Sequence, residues 1–80
     1  MSKPLEFIIT SRDLAARQDL GKVQADVMGA LQGIDGVSWK YNDPGAQAVI
    51  IELTSDQVGR VQSILSSRYM VDPNAGLQHL

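Results

Sequence analysis

Catalysis has little to work with in this chain of 80 residues, whose potential nucleophiles have hardly a base to activate them. The sole histidine, His79, is next to last, and there is no cysteine. A nucleophile, base and acid must be held together by rigid walls, and a terminal histidine has no wall, so no catalytic residue and no enzyme is expected. One histidine among scattered carboxylates reads as a solvated surface, not as a ligand set. No metal and no other cofactor is expected. The spacing that stands out is Leu77 and Leu80, three apart in a tail that passes through Pro73, Asn74 and Gly76. Either these leucines fold back under the domain or another protein accepts them.

Composition narrows the partner. The chain has 7 Lys and Arg against 9 Asp and Glu, for a formal charge of -2. Lys3, Arg12, Arg17, Lys22, Lys40, Arg60 and Arg68 form no stripe. Phosphate backbones are bound by clustered basic residues, so nucleic acid is not expected as a partner. With 44% hydrophobic and 20% charged residues the chain reads as one globular domain. Its apolar runs are too short for a membrane span, and Met-Ser-Lys-Pro-Leu-Glu lacks the apolar core of a secretory signal. The expectation is a soluble, cytoplasmic protein without membrane contact, secreted if the chain has been excised from a longer precursor.

The elements that would position the tail follow from periodicity. Leu5 to Thr10 is short and rich in β-formers, and predicts a strand. Leu20, Val23, Val27, Leu31 and Ile34 recur at helical spacing, with Asp13 or Asp19 as cap and Gly33 or Gly36 as stop. Val37 to Tyr41 alternates into the turn residues Asn42-Asp43-Pro44-Gly45, and Ala48 to Leu53 alternates again, which predicts a hairpin. Thr54 with Gln57 reads as a capping box, opening a helix with Val58, Val61, Ile64 and Leu65 on its buried stripe. Tyr69 to Asp72 is a last strand, halted by Pro73.

The order strand, helix, strand, strand, helix, strand predicts an α+β fold. It is the ferredoxin-like βαββαβ sandwich, a four-stranded antiparallel sheet with both helices on one face. Right-handed crossovers put the first and third strands in the middle. Residues 1–76 make the domain and 77–80 the extended tail. Phe7, Ile9, Val37, Trp39, Tyr41, Val49, Ile51 and Leu53 are expected to face the helices, with Trp39 and Tyr41 in the core. The open face then carries Ile8, Ile50 and Met70 among Glu6, Thr10, Ser38, Lys40 and Glu52. Three apolar side chains on an uncovered sheet read either as a docking patch or as isolated surface hydrophobes.

Gly21-Lys22-Val23-Gln24 resembles a fragment of the acylphosphatase phosphate loop, but Ala25-Asp26 stands where that loop has a further glycine, and an aspartate repels phosphate. RNA-binding sheets of this topology stack bases on aromatic residues of the open face, where the middle strands here carry Ile8 and Ile50. A broader resemblance runs from Glu52-Leu53-Thr54 to the end. The junction of strand, threonine and helix, the segment Met70-Val71-Asp72-Pro73-Asn74 and the linker to a terminal tetrapeptide resemble the propeptide and inhibitor family of subtilisin-like serine proteases. The preceding strand, helix and hairpin fit that family in order and length.

The resemblance implies an inhibitor, or a cleaved propeptide that guides its enzyme's folding, with a subtilisin-like serine protease as partner and a monomer when free. It implies that the open sheet face, with Ile8, Ile50 and Met70, packs on the protease. Asp72 matches an acidic residue that caps a protease helix, and Asn74 stands where the family has a second acid, keeping an acceptor but losing the charge. The tail lies in the cleft as an added strand, Leu80 in the first subsite, His79 and Gln78 in the next two and Leu77 in the fourth. Burial of each leucine contributes on the order of 1.5 to 3 kcal/mol before ordering costs. An alternative resemblance is to ACT domains, regulatory ferredoxin-like modules that dimerise and bind small ligands. Ser11-Arg12-Asp13-Leu14 stands where their loop has a glycine.

Overall fold

The computed structural model describes residues 4–74. Gly76 and the tetrapeptide Leu77, Gln78, His79 and Leu80 lie outside the described residues. The elements are β1 (Pro4–Ser11), a 3₁₀ turn (Ala16–Gln18), α1 (Leu20–Ala30), β2 (Val37–Asp43), β3 (Ala48–Thr54), a second 3₁₀ turn (Ser55–Gln57), α2 (Val58–Leu65) and β4 (Tyr69–Pro73). The four strands form one antiparallel sheet in the order β2-β3-β1-β4, so the first and third strands take the middle. The fold is α+β, as the periodicity predicts.

The alternation of β1 and β3 sets the layers, because successive side chains of a strand point to opposite faces. Phe7 and Ile9 from β1 join Val49, Ile51 and Leu53 from β3 in one cluster with Val23, Val27 and Leu31 of the first helical segment and Val61, Leu65 and Tyr69. Both helices therefore cover one face, and the other face is left without a second layer. Each fully buried Ile, Leu or Val contributes about 1.5–3 kcal/mol, which is what fixes the register of the two central strands.

Local signals decide the boundaries. Asp19 is the cap of α1: its Oδ1 accepts from the Lys22 N–H at 3.2 Å. Asp13 instead accepts from the Ala15 N–H at 3.0 Å, which turns the chain before the first 3₁₀ turn. At α2 the capping box is absent. The Thr54 side chain makes no capping bond, and a 3₁₀ turn intervenes before Val58. Gly36 explains where Thr54 is engaged. The Thr54 N–H donates to the Gly36 carbonyl at 3.1 Å, and a Cβ on Gly36 would lie 2.6 Å from Thr54 Oγ1.

Two further expectations fail for geometric reasons. Ile64, placed on the buried stripe of α2, is 40% exposed, because Val61 and Leu65 alone point squarely at the sheet. Strand β2 continues through Asn42 and Asp43, so the turn occupies residues 44–47. Asp43 Oδ1 accepts from the Gly45 and Ala46 N–H groups and holds that turn from its base.

Candidate docking face

The uncovered sheet face is organised by rows that run across the strands. Asp72 stands opposite Ile8, Ile8 opposite Ile50, and Ile50 opposite Tyr41, so one row crosses all four strands. Adjacent strands lie about 4.8 Å apart, which gives the row a span of about 15 Å. It brings Asp72, expected from the sequence as an anchor, into line with Ile8 and Ile50, expected as part of a docking patch. Met70, two residues from Asp72 and opposite Thr10, belongs to the neighbouring row on the same face.

Tyr41 was not expected there. Trp39 pairs with Ile51 but Tyr41 pairs with Ile50, and the register shift between them is a β-bulge. A bulge sets two residues against one and re-aims a side chain. Lys40 and Tyr41 consequently share the open face, whereas strict alternation sends Tyr41 to the helices. Asn42 then returns to the helix side, where its Nδ2 donates to Gln24 Oε1 of α1 at 3.0 Å and its Oδ1 accepts from the Trp39 indole at 2.9 Å. Neither aromatic is core. Trp39 and Tyr41 are each 42% exposed, because β2 is an edge strand and the apolar cluster is centred on β1 and β3.

The apolar patch also differs in its surface. Ile50 is only 2% exposed although no helix covers it, since Ile8 and Tyr41 flank it across the sheet. Ile8 and Met70 are half-buried, and Asp72 is exposed. The surface a partner would touch is therefore Tyr41, Ile8 and Met70 around an Ile50 that supports them from below.

Beside this row sits a polar cluster. Lys40 Nζ lies 3.0 Å from Glu6 Oε2 and 3.3 Å from Glu52 Oε2, tying the bulge of β2 to both central strands. The other oxygen of Glu6 accepts from Asn74 Nδ2 at 3.0 Å, and the Asn74 N–H donates to the Glu6 carbonyl at 2.9 Å. The hydrogen bond from Lys40, then that from Asn74, holds the Glu6 carboxyl below its usual range, while the carboxylates hold the Lys40 ammonium above its own. Asn74 thus spends its side-chain donor inside the molecule, and its Oδ1 has no hydrogen-bond partner among the described residues. Asp72 has no ion-pair partner among them either.

A concavity lies at the far end of β1, outside the open face. It has a volume of about 440 Å³ and is walled by Arg12, Lys22 and Arg68 with Asp13 and Asp26. Sequence inspection missed it because its walls come from three separated segments. Among the described residues no three His, Cys, Asp or Glu side chains stand close enough to hold a metal ion, and no helix is long and apolar enough to cross a membrane. Comparison with protein-family models, curated proteins and solved structures finds no match to this chain.

Proposed function

We propose that this protein is an inhibitor, or a cleaved propeptide, of a subtilisin-like serine protease, docking by the open face of its sheet and laying Leu77 to Leu80 in the active-site cleft. The observation that supports this reading is the row Asp72, Ile8, Ile50, Tyr41, which puts an exposed, unpaired carboxylate and an apolar strip on one line across an otherwise uncovered sheet. An exposed aromatic beside half-buried aliphatic residues is the composition of an interface centre. Asp72 would accept from the free N–H groups of a helix on the partner. Asn74 offers its Oδ1 for a neighbouring contact while its Nδ2 stays on Glu6, so this contact is uncharged.

In this reading Leu80 and Leu77 fill the first and fourth subsites and contribute the apolar burial, while Gln78 and His79 span between them. Inhibition follows from occupancy of the cleft by a segment already held on the enzyme through the folded domain. Effective concentration then raises the occupancy of a short tail far above what a free tetrapeptide reaches.

The test is titration of the full chain, and of a chain ending at Gly76, against a panel of subtilisin-like proteases. The full chain is expected to inhibit a member of the panel with a Kd in the range of about 1 nM to 1 μM, and the shortened chain to lose most of that. Leu80→Asp should weaken inhibition far more than Gln78→Ala. Absence of inhibition by a folded full chain sinks the reading, and equal effects of the two substitutions remove the subsite assignment.

A further inference from the structure

The concavity beside the end of β1 is built by contacts that leave cationic groups without partners. The Arg12 N–H donates to the Arg68 carbonyl at 2.9 Å, carrying the β1 to β4 ladder one step past the pairing of Ser11 with Tyr69. Two arginines, one just after β1 and one just before β4, are thereby set side by side. Arg12 Nε donates to the Ser66 carbonyl at 2.9 Å, which fixes the guanidinium and leaves its two Nη groups for other acceptors. Arg68 is steadied differently, with its guanidinium carbon 5.6 Å from the centroid of the Tyr69 ring. Lys22, in the first turn of α1, supplies the third cation of the wall. Among the described residues none of the three enters an ion pair.

Asp13 and Asp26 stand on the same wall. Three cations against two carboxylates leave the site a charge of +1, enough for one anionic head and unfavourable for a chain of them. Asp13 already accepts from the Ala15 N–H, and the Ser11 hydroxyl oxygen accepts from the Asp13 N–H at 3.1 Å, which leaves the Ser11 hydroxyl free to donate. Tyr69, 5% exposed, forms an apolar floor.

We propose that this groove binds a small phosphomonoester with a hydroxylated body, its phosphate held by Arg12, Lys22 and Arg68. Arginine offers paired N–H groups that match phosphate oxygens, and lysine adds a point charge. The remaining lone pairs of Asp13 and Asp26 accept from ligand hydroxyls and repel a second phosphate. The volume of about 440 Å³ suits a sugar phosphate. Tyr69 at its floor belongs to the helix-side cluster, whereas Met70 beside it takes the opposite face of the sheet. The groove is therefore distinct from the docking face, and its occupancy does not rest on protease inhibition.

The test uses the full chain with ribose 5-phosphate as probe, against inorganic phosphate and against chloride at matched ionic strength. Thermal unfolding gives one readout and amide chemical shifts the other. Ribose 5-phosphate at about 10 mM should raise the Tm by roughly 2–4 °C, with saturable shifts at Ser11, Arg12, Lys22 and Arg68. Lys22→Glu and Arg68→Glu, both at exposed positions, should keep the fold and weaken binding by at least about tenfold. Failure to saturate by that concentration, equal binding in both variants, or shifts centred on Ile8 and Tyr41 overturns the site. Inorganic phosphate binding as tightly as the ester overturns the hydroxylated body.

Discussion

Asn74 is fastened to Glu6 twice, its backbone N–H donating to the Glu6 carbonyl oxygen at 2.9 Å and its Nδ2 to Glu6 Oε1 at 3.0 Å. Since Glu6 Oε2 meets Lys40 Nζ, the end of β4 is linked through β1 to the bulge of β2. Asn74, expected from the sequence as a second anchor, thus has its side-chain donor used by the fold itself.

Asn74→Asp should therefore destabilise the free domain. It removes a donor, worth about 1 kcal/mol, and sets a carboxylate against the Glu6 carboxylate. A loss of that size lowers the Tm of a domain this small by about 4–8 °C. Adding Glu6→Gln should return part of the loss, because the new amide donates to the introduced carboxylate. Thermal unfolding of the two single variants and the double variant measures this coupling, and additive losses would mean that Asn74 and Glu6 act separately.

The same contacts predict an acid limb to stability. Glu6 is held below its usual carboxylate range, first by Lys40 and then by Asn74. A depressed folded pKa favours the folded state above the unfolded value, about pH 4.3, and that contribution is lost as pH falls through the lower folded value. The difference in stability between the native chain and Glu6→Gln should be constant from neutral pH down to about pH 5 and shrink below it. Lys40 has the opposite sign. Its folded pKa is raised, so its contribution is complete below the unfolded value and fades as pH rises through the folded one. Denaturant titrations across pH check both limbs; a gap that stays constant into strong acid would exclude Glu6.

Gly36 and Gly33 both have positive φ, at 85° and 90°, but only Gly36 lies against a side chain, Thr54. Gly33→Ala should cost about 1 kcal/mol for the left-handed backbone alone. Gly36→Ala adds a close approach to Thr54 Oγ1 and Cγ2 and should cost at least about 1 kcal/mol more. Equal values in denaturant unfolding would mean that Thr54 rotates away without cost.

These contrasts mark what sequence pattern resolves. The faces of Phe7, Ile9, Ile51 and Leu53 were legible because central strands packed on helices must alternate, and any slip would expose them all. Tyr41 was not, since a bulge adds one residue without leaving a signature in the alternation of Val37, Trp39 and Tyr41. Asp13 and Asp19 are equally good caps by type, and only the path after Ser11 selects Asp19. Thr54 and Gln57 satisfy a capping pattern, yet the 3₁₀ turn after Thr54 withdraws the side chain from it. The open-face group Glu6, Lys40 and Glu52 could be read from alternation, whereas the link from Glu6 to Asn74 depends on where β4 ends along β1.

Within the proposed interface, Tyr41 and Ile50 should behave as opposites although they are paired across β2 and β3. Ile50 is 2% exposed, so Ile50→Ala opens a hole in the row and should cost about 2–5 kcal/mol of folding stability. Its effect on binding is then largely a loss of folded protein. Tyr41 is 42% exposed and stands at an edge, so Tyr41→Ala should leave stability within about 1 kcal/mol of the native chain. If the row is the surface that docks, the same substitution should weaken protease inhibition by about tenfold or more, as truncation of an interfacial aromatic does. Unfolding and inhibition measured on the same preparations separate the two effects. A Tyr41→Ala chain that is stable and inhibits within about twofold of the native chain, well under the 1.4 kcal/mol of a tenfold change, would move the docking surface away from this row.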